Sequence, residues 1–226
     1  MQHRFLGVLV TLAGLACNGD PDTTVGPPPV WCDGATAHEW DPVGATEPDF
    51  FPPPNLFVSD QDSATGWALD FSDARVPWRP AVPALLAESI DLFNEMSGTG
   101  TSGGILVRFS APIGAVPETA EDSLANAGWQ LWDLDRDVRV PFEVELHQYG
   151  DAMTVWPLQP LARDTRHAFV VTTAAADASG DCMAPVAETQ SLLWGDVSDP
   201  GLTLAATWSR AAVAQLGLDP LSLIHI

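Results

Sequence analysis

The sequence predicts a mainly β fold, a sandwich of short antiparallel strands with a few short helices. Three stretches predict it. From Val138 to His147, the residues Val138, Val140, Phe142, Val144 and Leu146 alternate with Arg139, Pro141, Glu143, Glu145 and His147. That is the period of a strand with one buried face, and Pro141 marks it as an edge. From Met153 to Thr173, two β-type runs, Met153–Trp156 and His167–Thr173, flank a connection holding Pro157 and Pro160. Proline cannot donate to a ladder, so the first run stops there and the chain turns a corner. From Ile105 to Ser110, apolar Ile105, Val107 and Phe109 alternate with Leu106, Arg108 and Ser110, the pattern of a half-buried strand.

Taken in order, the chain opens on an address. His3 and Arg4 precede an apolar run, Phe5 to Ala16, of signal-peptide length and too short to span a bilayer, so residues 1–16 read as a leader. The run ends L-A-G-L-A-C, and the small residue before Cys17 resembles a bacterial lipoprotein processing site. Cys17 is therefore the expected lipidation site, and a membrane the expected partner through that lipid. An ordinary cleaved signal peptide is the competing reading. Residues 17–48 form a tether and lead-in, polar and Pro/Gly-rich at first, with irregular packing expected from Trp31 to Pro54. Asn18 stands where Asp often marks inner-membrane retention, so the outer membrane or cell surface is the expected location.

Residues 49–200 hold the β domain. Within it, Trp67–Phe71 and Trp129–Leu134 read as strands, and Trp129 and Trp132, three apart, face opposite sides of a sheet. Ala84 to Met96 carries Leu85, Leu86, Ile90, Phe93 and Met96 at helical spacing, stopped by Ser97-Gly98. Residues 201–220 hold a helix, Thr203 to Leu216 with Gly217 as its cap, leading toward a further domain. Residues 221–226, L-S-L-I-H-I, resemble the translation of a sequencing-library adaptor, so more natural chain is expected downstream.

Composition narrows the function. Thirty acidic residues against nine basic ones give a net charge of −21, a surface that repels nucleic acid and anionic headgroups. Apolar content of 46% is that of a folded protein. With Cys17 lipidated, Cys32 and Cys182 remain, and an exporting leader permits a disulfide between them; two separate thiols are the alternative. Neither has a His or second Cys at ligand spacing, so no metal is expected there.

Motifs of catalysis are incomplete. Gly100-Thr-Ser102-Gly-Gly104 matches G-x-S-x-G, but a nucleophile elbow needs strand, Ser, helix, and here the order is helix, loop, strand. The acidic loops Asp60–Gly66, Asp133–Asp137 and Asp177–Asp181 lack the spacing and closing Glu of a calcium loop. Nine tryptophans invite a sugar-stacking reading, but no same-face pair is visible, and burial is the default for most of them. No catalytic residue, metal or cofactor is assigned.

Two resemblances complete the reading. The Met153–Thr173 pattern resembles the last strand pair of bacterial immunoglobulin-like domains, with His167 where those domains carry Tyr. F-P-P-P-N-L-F at Phe51–Phe57, T-S-G-G-I-L-V-R-F-S at Thr101–Ser110, V-W-P-L-Q-P-L at Val155–Leu161 and the L-G-L-D-P ending at Pro220 follow in the order found in bacterial virulence-factor-type lipases. Together they resemble the N-terminal domain of that family. The resemblance implies an immunoglobulin-like β-sandwich, non-catalytic itself, preceding an α/β-hydrolase of lipase or esterase type. The competing function is a self-sufficient surface module that binds glycan or calcium.

Overall fold

The computed structural model describes residues 36–39, 57–62, 66–72, 80, 83–96, 100–185, 187–197, 200–218 and 223–225. The two strands at the centre of the sequence pattern form as expected. The first is β8 (Ala152–Pro157) and the returning one is β9 (His167–Thr172). They do not pair with each other. β8 lies between β4 (Ile105–Phe109) and β7 (Phe142–Leu146), with the short β1 (His38–Glu39) beyond β4. β9 lies between β5 (Trp129–Asp133) and β10 (Leu223–His225), with β6 (Val138–Arg139) beyond β5. The result is two four-stranded sheets, ordered β1-β4-β8-β7 and β10-β9-β5-β6. Every pairing within them is antiparallel. A separate hairpin joins β2 (Phe57–Ser59) to β3 (Trp67–Leu69).

The long alternation from Val138 to His147, expected as one strand, is two. β6 pairs with β5 in one sheet and β7 with β8 in the other. The change of sheet falls at Pro141. Val140 N–H still donates to Leu131 at 2.8 Å, while the Pro141 carbonyl already accepts from Leu158 at 3.0 Å. Proline has no N–H to lose, so the crossing leaves no orphan donor there.

Both sheets feed one core. Val107, Phe109, Phe142, Met153 and Val155 come from the first, and Trp129, Leu131, Phe169 and Val171 from the second. Two edge-to-face ring pairs bridge them: Phe109 with Trp129 at 5.9 Å and Phe142 with Phe169 at 5.8 Å. Such pairs add roughly 0.5–1.5 kcal/mol each beyond area burial. Trp129 and Trp132 do face opposite ways: Trp129 is in this core, and Trp132 packs against the cluster on the other side of its sheet.

That outer cluster explains the continuous run Ala168-Phe-Val-Val171. Ala168 and Val170 are buried with Leu134 against Leu193, Ala212 and Val213. These come from helices α3 (Ala187–Trp194) and α4 (Pro200–Leu216), which cover the second sheet. Leu192, Ala205 and Ala206 pack the helices together. Arg210 on α4 donates to the carbonyls of Leu192 at 2.7 Å and Gly195 at 2.6 Å, satisfying the end of α3. The end of α4 is a Schellman turn: Gly217 has φ +59° and Leu218 N–H donates to Val213 at 3.2 Å. Trp208 of α4 meets Trp67 of β3 edge-on at 5.3 Å.

Two further helices are short. α1 (Ala84–Phe93) ends before the expected Met96, because Asn94 and Glu95 leave the helix in a turn. Asn94 Oδ1 accepts from Phe71 N–H at 2.7 Å, tying the turn to the β2–β3 unit. α2 (Ala120–Ala125) starts at Thr119, whose Oγ1 accepts from Asp122 N–H at 3.1 Å. Ser123 of α2 is fully buried and accepts from Phe142 N–H at 3.1 Å, helping to fix the start of β7.

Candidate functional site

Of the three cysteines, Cys17 and Cys32 lie outside the described residues, as do the leader and most of the tether. Cys182 is disulfide-bonded. It sits in a loop that the chain sews together closely. Ala176 bridges to Cys182 across it, and Ile113 bridges to Asp177. Gly114 lies so near that a Cβ there would come within 2.5 Å of the Asp177 carbonyl oxygen. Asp177 is the loop's organiser. Its Oδ1 accepts from Ser179 N–H at 2.9 Å and Asp181 N–H at 3.0 Å, and its Oδ2 accepts from Thr36 Oγ1 at 3.0 Å. Burial opposes its ionisation, yet these donors outweigh it and hold the carboxyl below its ordinary range. Thr36 and Ala37 run parallel to Ala184, with Ala184 N–H donating to Thr36 at 2.9 Å.

The other acidic loops are organised in the same way. Asp60 Oδ1 accepts from Asp62 N–H at 3.0 Å. Asp133 accepts from the Arg136 backbone at 3.0 Å and its guanidinium at 3.2 Å. These carboxylates serve their own turns or a neighbouring arginine, the Asx-turn use of the residue. Among the described residues no group of three or more His, Cys, Asp or Glu is placed to hold a metal ion.

Ser102 is exposed in the turn before β4, after α1, so the inverted elbow context stands. Among the described residues no hydrogen bond joins it to a histidine, and His147 lies at the other end of β8. Thr101 O accepts from Leu161 N–H at 2.7 Å, beyond the C-terminal end of β8, whereas His147 bonds to Ala152 at its start. The intervening strand, Ala152–Pro157, spans about 17 Å. His147 is exposed and meets Thr154 Oγ1 at 3.0 Å.

A pair the sequence did not reveal is Asp133 with His167, direct partners across β5 and β9. Asp133 is 3% exposed, and His167 Nε2 lies 3.7 Å from its Oδ2. Thr165 Oγ1 lies 3.5 Å from His167 Nδ1 but donates to Ala162 O at 2.8 Å. The hydroxyl proton is thus committed to a carbonyl, and the group closes the end of the core rather than presenting a nucleophile.

Beside it, Arg166 clasps Asp135. Its backbone N–H and Nε donate at 2.8 Å and its Nη2 at 2.6 Å. The same guanidinium reaches Gln215 of α4 at 3.4 Å, and Gln215 donates to the Leu134 carbonyl. The backbone and side-chain hydrogen bonds from Arg166 hold the Asp135 carboxyl below its ordinary range. A depressed carboxylate stabilises the fold above its unfolded value, and that share is lost as pH falls through the folded value. The Asp135→Asn variant is therefore expected to be less stable than the parent at pH 6. The gap should begin to narrow below about pH 4, where the unfolded carboxyl protonates, and close as pH falls through the lower folded value. Urea titration at pH 6 and pH 3 measures it; a gap constant across that range contradicts the clasp.

The tryptophans divide sharply. Trp129 Nε1 donates to Ala115 O at 3.1 Å inside the core. Trp132 carries Arg139 over its ring at 5.0 Å, and burial pulls that guanidinium's pKa down. Trp156 is 42% exposed on the outer face of the first sheet. A shallow open cleft of about 330 Å³ is lined by Val116, Pro117, Glu118, Asp122, Ala125 and Asn126. Its Asp122 is engaged by the Thr119 hydroxyl at 2.8 Å. All nine basic residues of the chain are arginines. Among them Arg136 and Arg166 pair with Asp133 and Asp135, and Arg139 and Arg210 donate to backbone carbonyls.

No family model matches the chain, and no curated protein matches it. Among solved structures it is similar to a bacterial surface-layer protein. "Structure of surface layer protein SbsC, domains 1-6" matches at 14% identity and TM-score 0.28, over 49% of this chain and 17% of that one. "Crystal structure of the N-terminal part of the bacterial S-layer protein SbsC" matches at 14% and TM-score 0.29, over 47% and 28%. Similarity at this level does not identify a fold. No described helix is long and apolar enough to cross a membrane.

Proposed function

We propose that the chain is an exported, lipid-anchored module with an immunoglobulin-like β-sandwich, non-catalytic itself and carried in front of a lipase- or esterase-type hydrolase domain. The observation that carries it is the strand order. An immunoglobulin-like sandwich places strands A, B, E and D on one sheet and C, F and G on the other. With β1 as A, β4 as B, β8 as E and β7 as D, the first sheet follows that order. With β10 as G, β9 as F, β5 as C and β6 as C′, so does the second. β10 falls in the stretch that resembles an adaptor; the assignment of A to F does not depend on it.

The address rests on the leader and Cys17, and the downstream hydrolase on the ordered motifs that resemble the lipase family. The structure supports the non-catalytic part in two ways. Among the described residues no hydrogen bond joins Ser102 to a histidine, and the acidic loops are bound up in their own turns. Purified chain is expected to leave short-chain p-nitrophenyl esters unhydrolysed. Hydrolysis that disappears in Ser102→Ala contradicts the reading. Resequencing of the native locus past Pro220 tests the rest. A domain with its own strand-Ser-helix elbow is the expected result, and a stop codon soon after Pro220 contradicts it.

A further inference from the structure

The Cys182 disulfide closes a covalent loop, and the order of the elements says what lies inside it. Cys182 is disulfide-bonded, and Cys17 and Cys32 are the other cysteines of the chain. Whichever is the partner, the loop starts before β1 (His38–Glu39) and closes after β9 (His167–Thr172). Every strand from β1 to β9 is therefore inside, with α1, α2 and the core between the sheets. α3, α4 and β10 are outside. The chain enters and leaves the sandwich side by side: Ala37 bridges in parallel to Ala184, whose N–H donates to Thr36 O at 2.9 Å. The noncovalent hold on the entering chain is small. β1 pairs His38 with Phe109 and Glu39 with Arg108 at the edge of its sheet. Ala37 adds an exchange with Ser110, accepting from its N–H and donating to its Oγ, both at 2.9 Å. Terminal segments held by so few bonds are the first to open.

We propose that the disulfide takes the sandwich out of the line of tension between the membrane anchor and the downstream chain, and leaves the α3–α4 layer as the part that yields. The proposal rests on the reading of the protein as anchored through Cys17 and continued past Pro220. Lipid on Cys17 occupies its sulfur, which leaves Cys32 as the partner. Tension from the anchor then passes from Cys32 across the bridge to Cys182 and on to Ala184. The backbone between the two cysteines carries none of it, so β1 and the sheets stay in place. Beyond Ala184 the next elements in line are α3 and α4. They are held to the rest by Leu193, Ala212 and Val213 against Ala168 and Val170, by Trp208 against Trp67, and by Gln215 on the Leu134 carbonyl. A helix rises about 1.5 Å per residue and an extended chain about 3.4 Å, so α4 alone lengthens by about 30 Å when drawn out. On release the helices have an intact sheet to return to, because the closed loop keeps Leu134, Ala168 and Val170 in position.

The test is single-molecule stretching of the purified chain from residue 17 to residue 226, carrying Cys17→Ser, with protein handles joined to both ends without cysteine chemistry. Unfolding of the oxidised chain is expected to release at most about 210 Å, the reach of the residues before Cys32 and after Cys182. Repeated stretching and relaxation should return the same short release. Reductant added to the folded molecule under tension should release about 500 Å more, because about 150 residues separate the two cysteines. Cys182→Ser should give the long release without reductant, and reduction in place keeps the test decisive where that variant does not fold. Release of the full length from the oxidised chain overturns the proposal. So does a reduced chain that releases no more than the oxidised one. The stretching needs neither lipid nor hydrolase domain, so its failure is separate from failure of the anchor, which fatty-acid labelling reads, or of the downstream domain, which resequencing reads.

Discussion

Reduction of the Cys182 disulfide is expected to lower the melting midpoint by about 6–20 °C. The expected partner is Cys32. Thr36 and Ala37 are bonded alongside Ala184, two residues past Cys182. Cys32 is four residues upstream of Thr36, a reach of at most about 14 Å. The loop so closed takes in most of the folded domain, and the chain-entropy model gives about 5 kcal/mol for a loop of that size. Native strain and residual unfolded structure reduce that figure, so about 3–5 kcal/mol is the working range. At roughly 2–4 °C per kcal/mol for a chain of this size, the shift follows. Cys32→Ser and Cys182→Ser should each reproduce it, and the double variant should add nothing further, because both remove one bond. Peptide mapping without reductant should find Cys32 linked to Cys182. Free alkylation of Cys32 in unfolded, unreduced protein contradicts the pairing.

The second large effect is Trp129→Ala. Trp129 is 1% exposed, meets Phe109 edge-on at 5.9 Å and donates to Ala115 O at 3.1 Å. Truncation opens a cavity between the two sheets, costing about 3–5 kcal/mol. It also leaves a carbonyl without its donor, which adds about 1 kcal/mol where water cannot replace it. Against a total stability of roughly 5–15 kcal/mol, such a loss leaves a marginal fold. Trp156→Ala should behave in the opposite way, because an exposed ring contributes little to stability. Its change is expected to stay within about 1 kcal/mol. Denaturation of the two variants side by side measures the difference. Equal losses would mean that Trp156 is as much a core residue as Trp129, which its exposure contradicts.

The strands with alternating pattern were legible before the fold was known. β4, β5, β8 and β9 fall within a residue or two of their sequence ranges, because one buried face imposes its period on each. The same period concealed the division at Pro141. A strand that changes sheets keeps its inward residues inward, since both sheets face one core. Only the proline marked the place. The run Ala168-Phe-Val-Val171 did carry a sign of the helical layer, because a strand with no polar face is covered on both sides. Thr119 followed by Asp122 carried the cap of α2. β1 has two residues and no period to detect, and α3 begins with polar Glu188, Thr189, Gln190 and Ser191. The site was less legible than the fold. Asp133 and His167 meet through cross-strand register, and the Trp156 ring takes the space a Cβ on Gly104 would need. Neither relation has a spacing along the chain.

The central claim is that this sandwich works outside the cytoplasm, held to a membrane through Cys17. Metabolic labelling with a clickable palmitate analogue tests it most directly, comparing the parent with Cys17→Ser in a bacterial host. The account predicts label on the parent, recovered in the membrane fraction, and none on Cys17→Ser. Equal labelling of the two, or no labelling of either with the leader cleaved before another residue, would contradict it.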